Sequence, residues 1–226
     1  MKLRSLIAIG LAAVLTIGAS PVQALDETCS IDGGSADTMH VEDMLGDGTV
    51  DDVGDDVARN DPADLLGAWF QRDDDGKVTA HFQVAQLTGT ESNVVYYFLW
   101  NWVGGEPTKV RRWVAAQPRV YGGRYRYGYL DTTTPGVSTL VSEGDVSGGV
   151  TVGAPGEAFV EVPLDKMGKP QPGDVLNNIL VQARVLIGQP GLPPGVWPEA
   201  AGPERSGLVS TVDDSANANV CDFIEV

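Results

Sequence analysis

From residue 65 onward the chain repeats one pattern: short apolar or alternating runs cut by glycine and proline, the punctuation of an antiparallel all-β protein. Leu65 to Phe70 forms a first strand, and Asp73, Asp74, Asp75 and Gly76 make the turn after it. Between Lys77 and Gln86 the positions alternate, Val78, Ala80, Phe82 and Val84 on one face and Thr79, His81 and Gln83 on the other, which predicts a half-buried strand. Val94 to Val103 reads VVYYFLWNWV and ends at Gly104 and Gly105, so it predicts a central strand covered on both faces. Further strands are predicted at Lys109–Ala115, Arg124–Asp131, Val146–Val152, Ala158–Val162, Asn178–Ile187, Leu208–Val212 and Val220–Val226, with at most one helical turn at Leu164–Met167. The predicted fold is a two-sheet antiparallel β-sandwich, jelly-roll-like, over residues 65–226.

Two stretches break the rhythm. Asp37 to Asp64 holds ten acidic residues and one arginine, Arg59, with little apolar periodicity, so residues 25–64 read as an irregular acidic arm packed on the sandwich. Gly188 to Pro203 carries Pro190, Pro193, Pro194, Pro198 and Pro203 around Trp197 and reads as a long surface loop, because proline cannot donate to a ladder.

The N-terminus has another pattern. Lys2 and Arg4 precede an apolar run from Leu6 to Ile17 and then Ala19, Ser20 and Ala24, the order of a secretory signal peptide over residues 1–24. The run is too short to span a bilayer, no later run reaches that length, and no membrane insertion is expected. Export places Cys29 and Cys221 in an oxidising compartment, where one disulfide joining the two ends is the expected pairing. Of the 15 basic residues, 13 remain once Lys2 and Arg4 are removed, against 31 acidic ones, a net charge of −18. Such a field repels nucleic acid and anionic membrane and favours cations.

The stretches DDVGDD (Asp51–Asp56) and DPADLLGAWF (Asp61–Phe70), followed by a DG turn into KVTAHFQVAQL, resemble secreted bacterial modules of the DOMON-like and family-nine carbohydrate-binding type. Gln86 stands where that pattern carries aspartate, and GDVSGGVTV, EAFVEVPLDKMG and STVDDSANANVCDF resemble its closing strands. The resemblance implies a β-sandwich and a non-catalytic binding role and names no ligand; a glycan or another extracellular protein is the expected partner.

Candidate chemistry falls into four groups. Calcium takes six to eight oxygen ligands, and Asp52, Asp55 and Asp64 with Asp213 and Asp214 are its candidate ligands; the alternative is a solvated acidic loop. For sugar stacking the candidates are Trp113, Tyr121, Tyr125 and Trp197, set against ordinary core packing. Arg111, Arg112, Arg119, Arg124 and Arg126 either grip an anionic glycan or pair across strands with the chain's excess acid. Haem, which some DOMON-type domains hold between methionine and histidine, would need His81 with Met39, Met44 or Met167 and is not expected, since His81 falls on a polar face. No nucleophile elbow, metalloprotease helix or phosphate loop is present, and the enzyme alternative is a hydrolase using an acidic pair. A structural, cell-surface-associated protein is the third reading.

Overall fold

The computed structural model describes residues 29–42, 61–73, 76–91, 94–118, 123–135, 138–186, 209–214, 221 and 223–226. Twelve strands lie among them: β1 (Val41–Glu42), β2 (Leu65–Arg72), β3 (Lys77–Val84), β4 (Val94–Asn101), β5 (Arg111–Gln117) and β6 (Arg124–Asp131). The second half supplies β7 (Thr139–Asp145), β8 (Ser147–Thr151), β9 (Gly156–Pro163), β10 (Val175–Leu186), β11 (Val209–Asp214) and β12 (Phe223–Glu225). One sheet runs β1-β2-β3-β9-β8; the other runs β11-β10-β4-β5-β6-β7, with β12 also on β10. The protein is therefore an all-β, two-sheet antiparallel sandwich. Its chain makes a four-strand meander, β4 to β7, and crosses between the sheets after β3, β7 and β9.

The predicted alternation places the layers. Val78, Ala80, Phe82 and Val84 of β3 turn inward and are fully or nearly fully buried. They meet Tyr96, Phe98 and Trp100 of β4 across the sandwich; Phe82 lies 5.8 Å from Tyr96, and Phe70 of β2 lies 4.1 Å from Phe98. Burying each of these large side chains stabilises the fold by about 1.5–3 kcal/mol. The other face of β4 is closed as well: Val95, Tyr97 and Leu99 form a second cluster with Trp113, Ala115 and Leu140. An unbroken apolar run is thus a strand with no polar face, as the sequence predicts.

Two strands escape the sequence reading. β7 reads TLVSEGD, too polar to stand out from a loop; it forms because β6 offers it a free edge. β1 is two residues long and pairs Val41 with Ala68. It belongs to a segment that clips the termini together. Cys29 and Cys221 form the expected disulfide, with an S–S distance of 2.07 Å. The Ile31 amide donates to the Glu225 carbonyl at 2.7 Å, and the Cys221 amide donates to the His40 carbonyl at 3.1 Å. His40 is fully buried. Its Nδ1 accepts the Phe70 amide at 3.1 Å, which leaves the Nε2 proton to the Ser30 carbonyl at 3.0 Å. Residues 29–42 thus lie against the five-stranded sheet through β1 and against the seven-stranded sheet through β12.

Candidate binding cleft

Where the β4–β5 turn faces the turn after β9, the sandwich opens into a cleft of about 550 Å³. Each wall has a local cause. The β4–β5 turn needs Gly104 and Gly105 because it lies on the Trp102 ring; a Cβ on Gly104 would come within 2.3 Å of the indole. The Trp102 indole N–H donates to the Gly168 carbonyl at 3.0 Å and so ties the far turn to the near one. Gly168 has φ +104°, a backbone conformation that glycine supplies at no steric cost, and a Cβ there would meet Arg112 Nε and Trp102 at 2.6 Å. Trp102 is therefore the support on which both turns of the cleft rest.

The charges converge from four elements. Lys109 comes from the turn, Arg112 from β5, Glu143 from β7, and Asp165, Lys166 and Lys169 from the turn after β9. Glu143 spends both oxygens on cations: Lys109 Nζ donates to Oε1 at 2.8 Å and Arg112 Nη1 to Oε2 at 3.2 Å. Hydrogen bonds from Lys109 to Glu143, and then to Glu106, hold its ammonium above the ordinary lysine value. Lys166 is raised likewise, by Asp165 first. Lys166 also sits 5.9 Å from the centre of the Tyr127 ring, and Lys109 sits 5.1 Å from that of Tyr129. Lys109, Arg112, Lys166 and Lys169 outnumber Glu106, Glu143 and Asp165 by one, in a chain whose formal net charge is −16.

A second, smaller cavity of about 260 Å³ adjoins the first. It shares Tyr127 and Lys166 and adds Lys77, Asp145, Val146, Ser147, Glu161 and Pro163. Beyond residue 24 the sequence has four lysines, Lys77, Lys109, Lys166 and Lys169, and all four line these two cavities.

The residues singled out in the sequence are distributed differently. Trp113 is fully buried in the second cluster, and its indole N–H donates to the Tyr129 carbonyl at 3.0 Å. That overturns its reading as a sugar platform, because no face is left for a ring. Tyr125 is half-buried between the sheets over Gly148, where burial pushes its hydroxyl up. It shares the inward face with Tyr127, as alternation requires, and only Tyr127 reaches the cleft. Tyr121 and Trp197 lie outside the described residues.

Of the calcium candidates, Asp64 is fully buried just before β2, in the five-stranded sheet. Asp213 and Asp214 pair with Ala183 and Gln182 in the other sheet. Asp52 and Asp55 lie outside the described residues, and among the described residues no group of three or more potential metal-ligating side chains is assembled. Met44 is also outside them. His81 stacks on Trp69 at 4.7 Å on the outer face of the five-stranded sheet, and its Nδ1 lies 2.7 Å from Glu157. Met167 is buried in the core on the opposite side of that sheet, so His81 and Met167 do not form an axial pair. Met39 Sδ occupies the space that a Gly67 side chain would fill.

The arginine group does pair within the fold. Arg112 meets Glu143 and Arg126 meets Asp145 at 3.0 Å across strands, while Arg111 donates to the Asn101 side chain and the Asn178 carbonyl. Arg119 lies outside the described residues. Sequence reasoning missed Lys77, Lys109, Lys166, Lys169 and Glu143 altogether. A usable signal was present: lysine is scarce, and three of the four lie within two residues of a glycine turn or within the 164–169 turn itself.

No protein-family model matches this sequence, and neither a curated protein nor a solved structure matches the chain. Among the described residues no helix is long and apolar enough to cross a membrane. What is defined is a class, a two-sheet β-sandwich closed by a disulfide between its terminal segments.

Proposed function

We propose that this protein is an exported, non-catalytic binding domain that holds a small carboxylate-bearing ligand in the cleft between the β4–β5 turn and the 164–169 turn. One observation carries this reading: in a chain of formal net charge −16, the cleft gathers Lys109, Arg112, Lys166 and Lys169 against three carboxylates, beside the Tyr127 ring. A locally cationic site in a negative molecule selects a compact anion that can reach it and repels anionic polymers from the remaining surface. The volume lies within the range of small-molecule sites. Lys169 supports the same reading, for its ammonium has no ion-pair partner among the described residues.

The binding reading is also favoured over the acidic-pair hydrolase by Glu143. Its two oxygens already accept from Lys109 and Arg112, so neither is free to pass a proton to a substrate. Export and the resemblance to sugar-binding modules make an acidic sugar the first probe. In calorimetric titration, sodium glucuronate binds and glucose does not. Lys169→Ala weakens glucuronate about tenfold, the value of a charge-assisted hydrogen bond at the low end of its range. Absence of glucuronate binding, or an unchanged Kd in the variant, refutes the assignment.

A further inference from the structure

The two cavities are not independent, and their charges differ in kind. The larger one has an excess cation; in the smaller one Lys77 and Lys166 are matched by Asp145 and Glu161. Resting on the anion-cleft reading, we infer that together they form one groove for an acidic oligosaccharide, with a uronate ring in the larger cavity and an uncharged pyranose in the smaller.

The chemistry of the smaller cavity selects its occupant. Ammonium groups only donate and carboxylates only accept, so a lining of two of each, with the Ser147 hydroxyl, wants partners that do both. Sugar hydroxyls donate and accept; a second anion would face Asp145 and Glu161, and an alkyl chain would offer no partner to Lys77 and Glu161. At about 260 Å³ this cavity falls below the size of a typical independent small-molecule site, as expected of a subsite that extends a neighbour.

The residues common to both cavities join the two subsites. Tyr127 belongs to both linings, and Lys166, a little under half exposed, can bond to groups on either side of it. A linear ligand crossing from one cavity to the other would pass over that ring, where the apolar face of a pyranose can be covered. Lys77 sits at the far end of the groove, on β3, and lines the smaller cavity without lining the larger. It therefore reports on the second ring alone.

The test titrates the full-length protein with glucuronate, with a glucuronyl-glucose disaccharide, with cellobiose and with inorganic sulfate. The expected result is a disaccharide Kd at least tenfold below that of glucuronate, weak or absent binding of cellobiose, and no competition by sulfate at matched ionic strength. Lys77→Ala should erase the disaccharide's advantage and leave the glucuronate Kd unchanged. Lys77 is an exposed side chain, and an unchanged melting temperature checks that the variant folds. Equal affinity for mono- and disaccharide, or a Lys77→Ala variant that retains the advantage, overturns the two-ring groove while leaving the anion cleft standing. Sulfate that displaces glucuronate at equal concentration overturns the saccharide assignment in favour of a simple anion site. If neither glucuronate nor the disaccharide binds, the cleft reading itself fails and this inference fails with it.

Discussion

Removing the disulfide should cost this domain more than most single changes can. Cys29 and Cys221 are 192 residues apart, so the bond closes a very long loop that contains almost all of the β-sandwich. In the chain-entropy account a cross-link stabilises by restricting the unfolded ensemble, and a loop of that length corresponds to about 5 kcal/mol at 25 °C. The native side changes little on reduction, because the same segment remains held by the Ile31 and Cys221 amides and by the β1–β2 pairing. With a urea m-value of roughly 2–3 kcal/mol/M, the unfolding midpoint should fall by about 2 M. The comparison is best made on the unmodified protein with and without a thiol reductant, since Cys221 is buried and Cys221→Ala would add a small cavity cost of its own. Urea titration followed by tryptophan fluorescence measures the shift. A change below about 0.5 M, with m unaltered, would refute the entropic argument and mean that the unfolded chain already keeps its ends together.

Two further perturbations test how the cleft and its surroundings are held. Gly168→Ala forces a side chain onto Arg112 Nε and Trp102 at a φ that alanine rarely adopts; we expect a loss of about 1–3 kcal/mol in thermal unfolding, accompanied by loss of glucuronate binding. Glu91 is buried, and although desolvation raises its carboxyl, hydrogen bonds from the Thr88 hydroxyl at 2.6 Å and the Thr88 amide at 2.7 Å prevail and hold it below the ordinary 4.5. A depressed folded value contributes stability above the unfolded value that is lost as pH falls through the folded one, so the Thr88 amide resonance should shift below pH 4.5. Glu91→Gln should abolish that shift; a shift that persists would assign it to another group.

The binding residues were poorly legible in the chain for a definite reason. Lys109 and Lys169 are separated by most of the sandwich, and no local period relates them, because they line one cleft only when the β9–β10 turn lands opposite the β4–β5 turn. The aromatic residues misled in the opposite direction. A tryptophan such as Trp113 has the composition of a sugar platform whether its face is bare or covered, and only the packing of Gly128 and Leu140 around it decides. The arginine-rich stretch was better balanced between readings, since cross-strand pairing with acid is a property of register, and register placed Glu143 and Asp145 within reach of Arg112 and Arg126.

Local rules were enough for the strands with strong patterns. Alternation in β3 and the unbroken apolar run of β4 express which faces must leave water, and that requirement acts on each segment independently of the others. The cysteine pair likewise needed no tertiary information: two cysteines admit one intramolecular pairing, and Cys29–Cys221 is formed. Tertiary structure alone decided the polar strand β7, the clip formed by residues 29–42, and the convergence of Lys109, Arg112, Lys166 and Lys169 on one cleft. Each of these depends on contacts between residues far apart in the chain, whose energies exist only after the backbone has closed the loops between them.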